Sequence, residues 1–305
     1  MSLKKIAGAA LLLTSVLLIL QFAAYGTPDA KGNGSAEQLQ ETNSPAPNNP
    51  SETYDEADQA INVGNPVVTE NAAVKSNGAL IVFTFDDGNV SDYFLAFPIL
   101  MKYGIAGTSY INPYDPDHET VNKLSWSQIR EMYAQGWDFE DHTYSHINLT
   151  KSTPEQIKQS MEQVNAAFLE NGLKPPVAFA YPYGKFDQDA VAIVRQYRRQ
   201  ARLAYYRDDF VDLKSADFYQ IPCVSADMQT EKRLKEKENL VDKACSENGV
   251  IVFRVHCLYR NALDDMGAEV VQTSSALFEE LVRYCVNKGC SFTTMDKLVD
   301  DYANP

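Results

Sequence analysis

From Ala79 onward, short apolar runs alternate with amphipathic helical patterns about seven or eight times. This alternation constrains the fold more than any other feature. Consecutive strands joined by crossover helices lie parallel in one sheet. Residues 79–82, 105–111, 137–140, 177–181, 202–206, 219–224, 250–256 and 291–293 read as strands. Ser125 and Gln128 form a capping box that opens a helix closed by Gly136. Thr153, Pro154 and Gln156 open the next helix, with Ile157, Met161, Val164 and Phe168 on one face. Further helices are expected over about 187–199, 231–247 and 275–287. So many units in one span favour an α/β fold of the (β/α) barrel type, distorted and of about seven parallel strands, over an open doubly wound sheet. No Gly-x-Gly-x-x-Gly follows the first strand and no Walker-type loop occurs, which argues against dinucleotide and nucleotide folds.

The region before Ala79 has a different character. Lys4 and Lys5 precede an apolar run over residues 6–24, and Ala24-Tyr25-Gly26 offers small residues to a signal peptidase. Residues 1–26 therefore read as a secretory signal peptide, with an uncleaved membrane anchor through residues 6–24 as the competing reading. Either implies export, to the medium or to the outer face of the cell membrane. Residues 27–78 are rich in Asn, Pro, Ser, Glu and Gly and read as a disordered polar linker. Residues 79–305 read as the one folded domain of the chain. The net charge of −14 argues against a nucleic-acid partner. Nothing in the sequence fixes an oligomeric state.

In parallel barrels the chemistry gathers at the C-terminal ends of the strands. Asp86-Asp87-Gly88 ends the first strand, where two carboxylates are costly unless paired or metal-bound. By itself that tripeptide is equally a turn signal. Asp141-His142-Thr143-Tyr144-Ser145-His146 follows the third strand, Tyr181-Pro182-Tyr183-Gly184 the fourth, and His256 ends a later one. Three of the four histidines thus share a rim with the paired aspartates. The spacing of His142 and His146 puts both rings on one face of a helical turn, close enough to share a metal. Two histidines and a carboxylate suit a hydrolytic metal centre with open positions. They also suit a non-haem iron oxygenase. Asp86 and His256 stand ready for proton transfer, which favours hydrolysis.

Thr84-Phe85-Asp86-Asp87-Gly88, His142-Thr143-Tyr144-Ser145-His146 with Leu149-Thr150, Phe179-Ala180-Tyr181-Pro182-Tyr183-Gly184 and His256 after an apolar strand together resemble the polysaccharide deacetylases. This is the NodB-homology domain of carbohydrate esterase family 4, and the resemblance covers roughly residues 79–300. It implies that Asp87, His142 and His146 bind a divalent metal, usually zinc. It implies that Asp86 is the general base and His256 the general acid, with the Tyr183 backbone N–H at the oxyanion. The expected activity is removal of N-acetyl groups from an acetylated glycan. O-deacetylation by the same groups and a carbohydrate-binding domain without turnover are the alternatives.

Several residues depart from that pattern. Ala180 stands where members carry an arginine that holds the catalytic aspartate, and Cys223 where arginine is again common. Asp227 is offered as the carboxylate that orients His256. Arg254 stands where an apolar residue usually lines the acetyl pocket, and it shares the His256 face of its strand. The expectation is that Arg254 supplies the missing arginine and pairs with Asp86. Tyr110 and Tyr114 are candidate sugar-stacking residues beside Tyr181 and Tyr183, whereas Trp126 reads as core and His118 as loop surface. Five cysteines leave at least one unpaired within the chain, and Cys223 and Cys257 follow neighbouring strands and could approach one another. Asn33, Asn89 and Asn148 match the glycosylation pattern. The last two flank the site and are expected to be unmodified.

Overall fold

The structure is a computed structural model that describes residues 78–204, 209–212, 216–260 and 272–298. The expected signal peptide or anchor, residues 1–26, and nearly all of the expected linker, residues 27–78, lie outside the described residues. Among the described residues no helix is long and apolar enough to cross a membrane.

Strand β1 (Leu80–Asp86) is buried along its whole length and lies at the centre of the sheet. A π-helical turn at Asp92–Ala96 runs into α1 (Phe97–Lys102), an element the apolar pattern did not reveal. There follow β2 (Thr108–Ile111), α2 (Tyr114–Asp117), α3 (Trp126–Ala134), β3 (Asp138–Asp141), α4 (Pro154–Glu170) and β4 (Ala178–Ala180). Both expected capping boxes are formed, Ser125 with Gln128 and Thr153 with Gln156. The chain continues through α5 (Gln188–Tyr197), β5 (Gln200–Arg202), β6 (Val224–Ser225), α6 (Glu231–Glu247) and β7 (Val250–Val255). A small pair, β8 (Cys257–Tyr259) and β9 (Gln272–Ser274), precedes α7 (Ser275–Asn287) and β10 (Ser291–Phe292).

The strands of the main sheet are all parallel, in the order β5-β4-β3-β2-β1-β7-β6, with β10 bonded to the start of β1. The stretch before β6 returns to β5: Ala201 donates to Phe218 O, Ile221 to Ala201 O and Leu203 to Ile221 O. The sheet thereby curls into the distorted barrel expected from the alternation. The strand expected at 202–206 instead begins at Gln200, and β6 is only two residues long.

Alternation along β1 divides the core. Ile81, Phe83 and Phe85 face the helices, where Phe83 and Phe85 meet Phe278 of α7 edge-on. Each ring buried this way contributes about 1.5–3 kcal/mol. Gly107 makes the close approach of β2 possible, because a Cβ there would lie 2.8 Å from the Trp137 ring and 2.9 Å from Phe85. Leu80 and Val82 face the barrel interior with Tyr110, Ala178, Ala180, Val250 and Val252. Residues 294–298 close that interior from below: Met295 N–H donates to Thr108 Oγ1 at 2.9 Å and Asp296 N–H to Asp138 at 3.2 Å. Gln200 also donates to Met295 O.

Candidate metal-centred active site

The C-terminal ends of β1, β3, β4 and β7 meet around one cavity of about 210 Å³. It is lined by Asp86, Asp87, His142, His146, Tyr181, Tyr183, Ala204, Arg254 and His256. Every catalytic and ligating residue expected from the sequence lies there. So do the expected contact residues Tyr181, Tyr183 and Arg254.

Asp86 ends β1 and points into the barrel, while Asp87 leaves it with φ 75°. Left-handed backbone at a non-glycine residue costs about 1–3 kcal/mol and persists only where surroundings enforce it. Thr143, His146 and Tyr183 share this conformation; of the seven such residues among those described, Asp87, His146 and Tyr183 line the cavity and Thr143 directly follows the cavity residue His142. The surroundings are visible. Lys123 donates to Asp87 O at 2.9 Å and to Asn89 Oδ1 at 3.1 Å. Asn89 in turn donates to Asp86 O and to His256 O, at 3.1 and 2.8 Å. One amide thus ties the end of β1 to the end of β7, and its nitrogen is fully engaged. Asn148 caps a single helical turn through its side-chain oxygen, which accepts from the Thr150 N–H and hydroxyl.

The His142–His146 loop is not helical. Thr143 and His146 turn the chain, and Asn112 holds it by donating to His142 O and Thr143 O, at 2.6 and 3.0 Å. Asp141, fully buried and paired with Arg198 at 2.7 Å, accepts the Thr143 N–H. The expected sharing of one face is therefore achieved by a fixed loop in place of a helix turn. His142 Nε2 and His146 Nε2 each lie 3.4 Å from Asp87 Oδ1. The three ligand atoms are within 4.8 Å of one another. His142 Nδ1 meets Ala180 O at 2.8 Å, which orients the ring and turns Nε2 toward Asp87. Burial opposes charge on Asp87, but the hydrogen bond and charge of His142, with Lys123 and His146, hold its carboxyl far below the usual range. Burial and the neighbouring His142 push His146 down to about 4, so its ring is neutral at pH 7. An ionised carboxylate and a neutral imidazole are the forms that ligate.

The expected pairing of Arg254 with Asp86 does not occur. Arg202 of β5 forms that ion pair, with both side chains buried. Arg202 lies beside Ala180 in register, so the two side chains share a face of the barrel. A small residue at 180 leaves the interior open for a guanidinium arriving from one strand further along. Its plane also packs 4.7 Å from the Tyr110 ring centroid. Burial would lower the Arg202 pKa, but the Asp86 charge keeps it above its ordinary value. Arg202 was missed because it was read as the start of a strand, not as an inward-facing residue within one.

Arg254 instead donates to Asp227 Oδ2 at 3.1 Å, and Ser225 donates to the same oxygen at 2.5 Å. The other oxygen, Oδ1, faces His256 Nδ1 at 3.8 Å. Burial favours the neutral acid, but His256, Ser225 and Arg254 hold Asp227 below the usual carboxylate range. Asp227 is thus placed to orient His256.

Three other expectations change. Tyr110 is fully buried beside Arg202 and is no sugar platform, whereas Tyr114 is 42% exposed. Tyr181 is buried with its hydroxyl donating to Tyr219 O, while Tyr183 is 60% exposed and packs its ring against His146. The Cys223 thiol is turned to Leu203 O and Ala204 O. Cys245 and Cys290 approach one another, with their sulfurs 3.6 Å apart. Trp126 packs against Phe168, and His118 stacks on Tyr114 in the loop.

Comparison with known proteins bears on the family and the fold. Residues 73–201 match the family model described as polysaccharide deacetylase. A poly-β-1,6-N-acetyl-D-glucosamine N-deacetylase of Staphylococcus aureus is 29% identical over 124 residues, 37% of this chain and 43% of its own length. The chain thus spans less than half the length of the curated relatives it matches. The Xyl-CE4 domain of a multidomain xylanase from the hindgut metagenome of Trinervitermes trinervoides superposes with TM-score 0.52 at 16% identity. That match covers 74% of this chain and 92% of the domain. A CE4 family pseudoenzyme of Bacillus anthracis superposes with TM-score 0.50 at 13% identity, over 74% of this chain and 66% of its own. One fold therefore serves both a catalytic name and a pseudoenzyme, and the site has to carry the functional argument.

Proposed function

We propose that this chain, whose residues 73–201 match the polysaccharide deacetylase family model, is a divalent-metal hydrolase that removes N-acetyl groups from a glycan. The observation that carries the reading is the meeting of Asp87, His142 and His146 with Asp86 and His256 in one cavity. The donor set fits a catalytic ion such as Zn²⁺, with three protein ligands, one of them a histidine oriented through Nδ1, and room left in the cavity. When bound, the ion would polarise the acyl carbonyl and make water acidic near neutrality.

The protein's own groups supply the rest. Asp86 accepts the proton of the attacking water, and its ion pair with Arg202 fixes the carboxylate at the cavity wall. His256 turns Nδ1 toward Asp227 and so offers Nε2 to protonate the departing amine. Base and acid each typically contribute ~10²–10⁴-fold. The Tyr183 backbone N–H is offered to the developing oxyanion, and its exposed ring provides a face for a sugar. The named activity of the S. aureus relative makes an N-acetylglucosamine polymer the first substrate class to try. The composition of residues 1–26 supports export, either as a secreted protein or anchored at the outer face of the cell membrane.

The test is acetate release from N-acetylglucosamine oligomers and from O-acetylated xylan, alongside the bound-metal content. Activity on the N-acetyl substrate, lost with chelator and restored by Zn²⁺, is expected, and Asp87→Ala should abolish both metal and turnover. Glycan binding without acetate release from a metal-loaded protein would instead mark a binding domain.

A further inference from the structure

At the opposite end of β1 from the cavity, three thiols gather where α6, α7 and β10 converge. Cys245 lies in the last turn of α6, Cys285 in the last turn of α7, and Cys290 immediately before β10. The Cys245 and Cys290 sulfurs are 3.6 Å apart. Cys285 is fully buried, and its carbonyl accepts the Cys290 N–H at 3.1 Å. Cys245 is half-buried and Cys290 is 9% exposed, so a small reagent reaches the pair from the side of Cys245.

We propose that Cys245 and Cys290 are a disulfide site that clips α6 to β10. A disulfide bond is about 2.0 Å long, so the sulfurs need to close by less than a side-chain rotation moves them. The neighbouring thiols support the direction of the reaction. Hydrogen bonding from Cys285 and Cys245 holds the Cys290 thiol down to about 7, against the opposing effect of its burial. Burial pushes the Cys245 thiol up. Cys290 is therefore the attacking thiolate. It displaces one thiol from a small-molecule or protein disulfide, forming a mixed disulfide. Cys245 then loses its proton and attacks the Cys290 sulfur, releasing the second thiol. Two protein thiols are oxidised and one external disulfide is reduced to two thiols.

The linkage would join residues 45 positions apart. β10 is bonded to Leu80 and Ile81 of β1, so the clip would fasten α6 to the strand that ends at Asp86. The inference stands on the thiol geometry and is independent of the deacetylase reading.

The full chain is incubated with oxidised glutathione, alkylated and digested without reduction. Loss of two of the five thiols, a peptide linking Cys245 to Cys290, and a Tm rise on the order of 5–10 °C are expected. Cys285→Ala should form the same link, and Cys245→Ser should not. Five thiols remaining, a link through Cys285, or a Cys245–Cys290 link that leaves Tm unchanged would each overturn the clip.

Discussion

Arg202→Ala tests the assignment of Arg202 as the group that holds Asp86, the proposed base. The arginine and Asp86 are both buried, at 0% and 4% side-chain exposure. Removing one partner of such a pair leaves an uncompensated charge and costs about 3–5 kcal/mol. For the described domain that corresponds to a fall in Tm of about 10 °C. The catalytic loss is separate: without the ion pair Asp86 no longer has a fixed position, and about 10²–10⁴-fold in kcat is at stake. Because Ala180 lies beside Arg202 in register, the double variant Ala180→Arg with Arg202→Ala delivers a guanidinium to the same face from the adjacent strand. It should recover part of both the Tm and the kcat. Circular dichroism establishes folding, differential scanning calorimetry gives Tm, and acetate release gives kcat and KM. A folded Arg202→Ala with wild-type kcat would refute the reasoning. So would a double variant no better than the single one.

Arg254→Leu, which leaves the Asp86–Arg202 pair intact, should cost less than tenfold in kcat, measured beside Arg202→Ala; a larger loss than Arg202→Ala would reverse the assignment. Burial and the neighbouring Asp296 push Asp138 up to about 7. Because the folded state then holds this proton more tightly than the unfolded chain, the stabilisation is present below pH 3.8 and lost as pH rises through 7. Up to about 4 kcal/mol is involved. Asp138→Asn keeps an acceptor for Thr108 and Asp296, so its Tm advantage over the wild type should grow between pH 5 and pH 8. Parallel Tm curves would contradict it.

The fold was legible because its signals are local. Capping boxes, apolar periodicity and the β-rich runs placed α3, α4, α6, α7 and β7 within a residue or two. The short π-helical turn before α1 was not legible, since Asp92–Ala96 and Phe97–Lys102 carry no polar–apolar repeat long enough to register. The site residues were legible because each sits at a strand end with a distinctive neighbour. The groups that hold them were not. Arg202, Asn89, Lys123 and Asn112 act across the barrel, and Lys123 reaches back 36 positions to Asp87. Arg254 shows the limit most directly. Strand alternation placed it on the correct face, but which carboxylate it meets depends on β5 and β6, whose positions are set by tertiary packing.

Strand β1 also has a history in time. Thr84 donates to Phe253 O across 169 positions, and β10 joins still later. At typical synthesis rates of ~5–20 residues per second, about 10–30 s pass between making β1 and making its partner β7. Through that interval Leu-Ile-Val-Phe-Thr-Phe is an unpaired, uncharged edge, the kind of segment that pairs with other chains. The two aspartates that end it are, during this interval, its nearest charges in the forward direction. The two carboxylates that line the cavity are thus also placed to discourage the strand from aggregating.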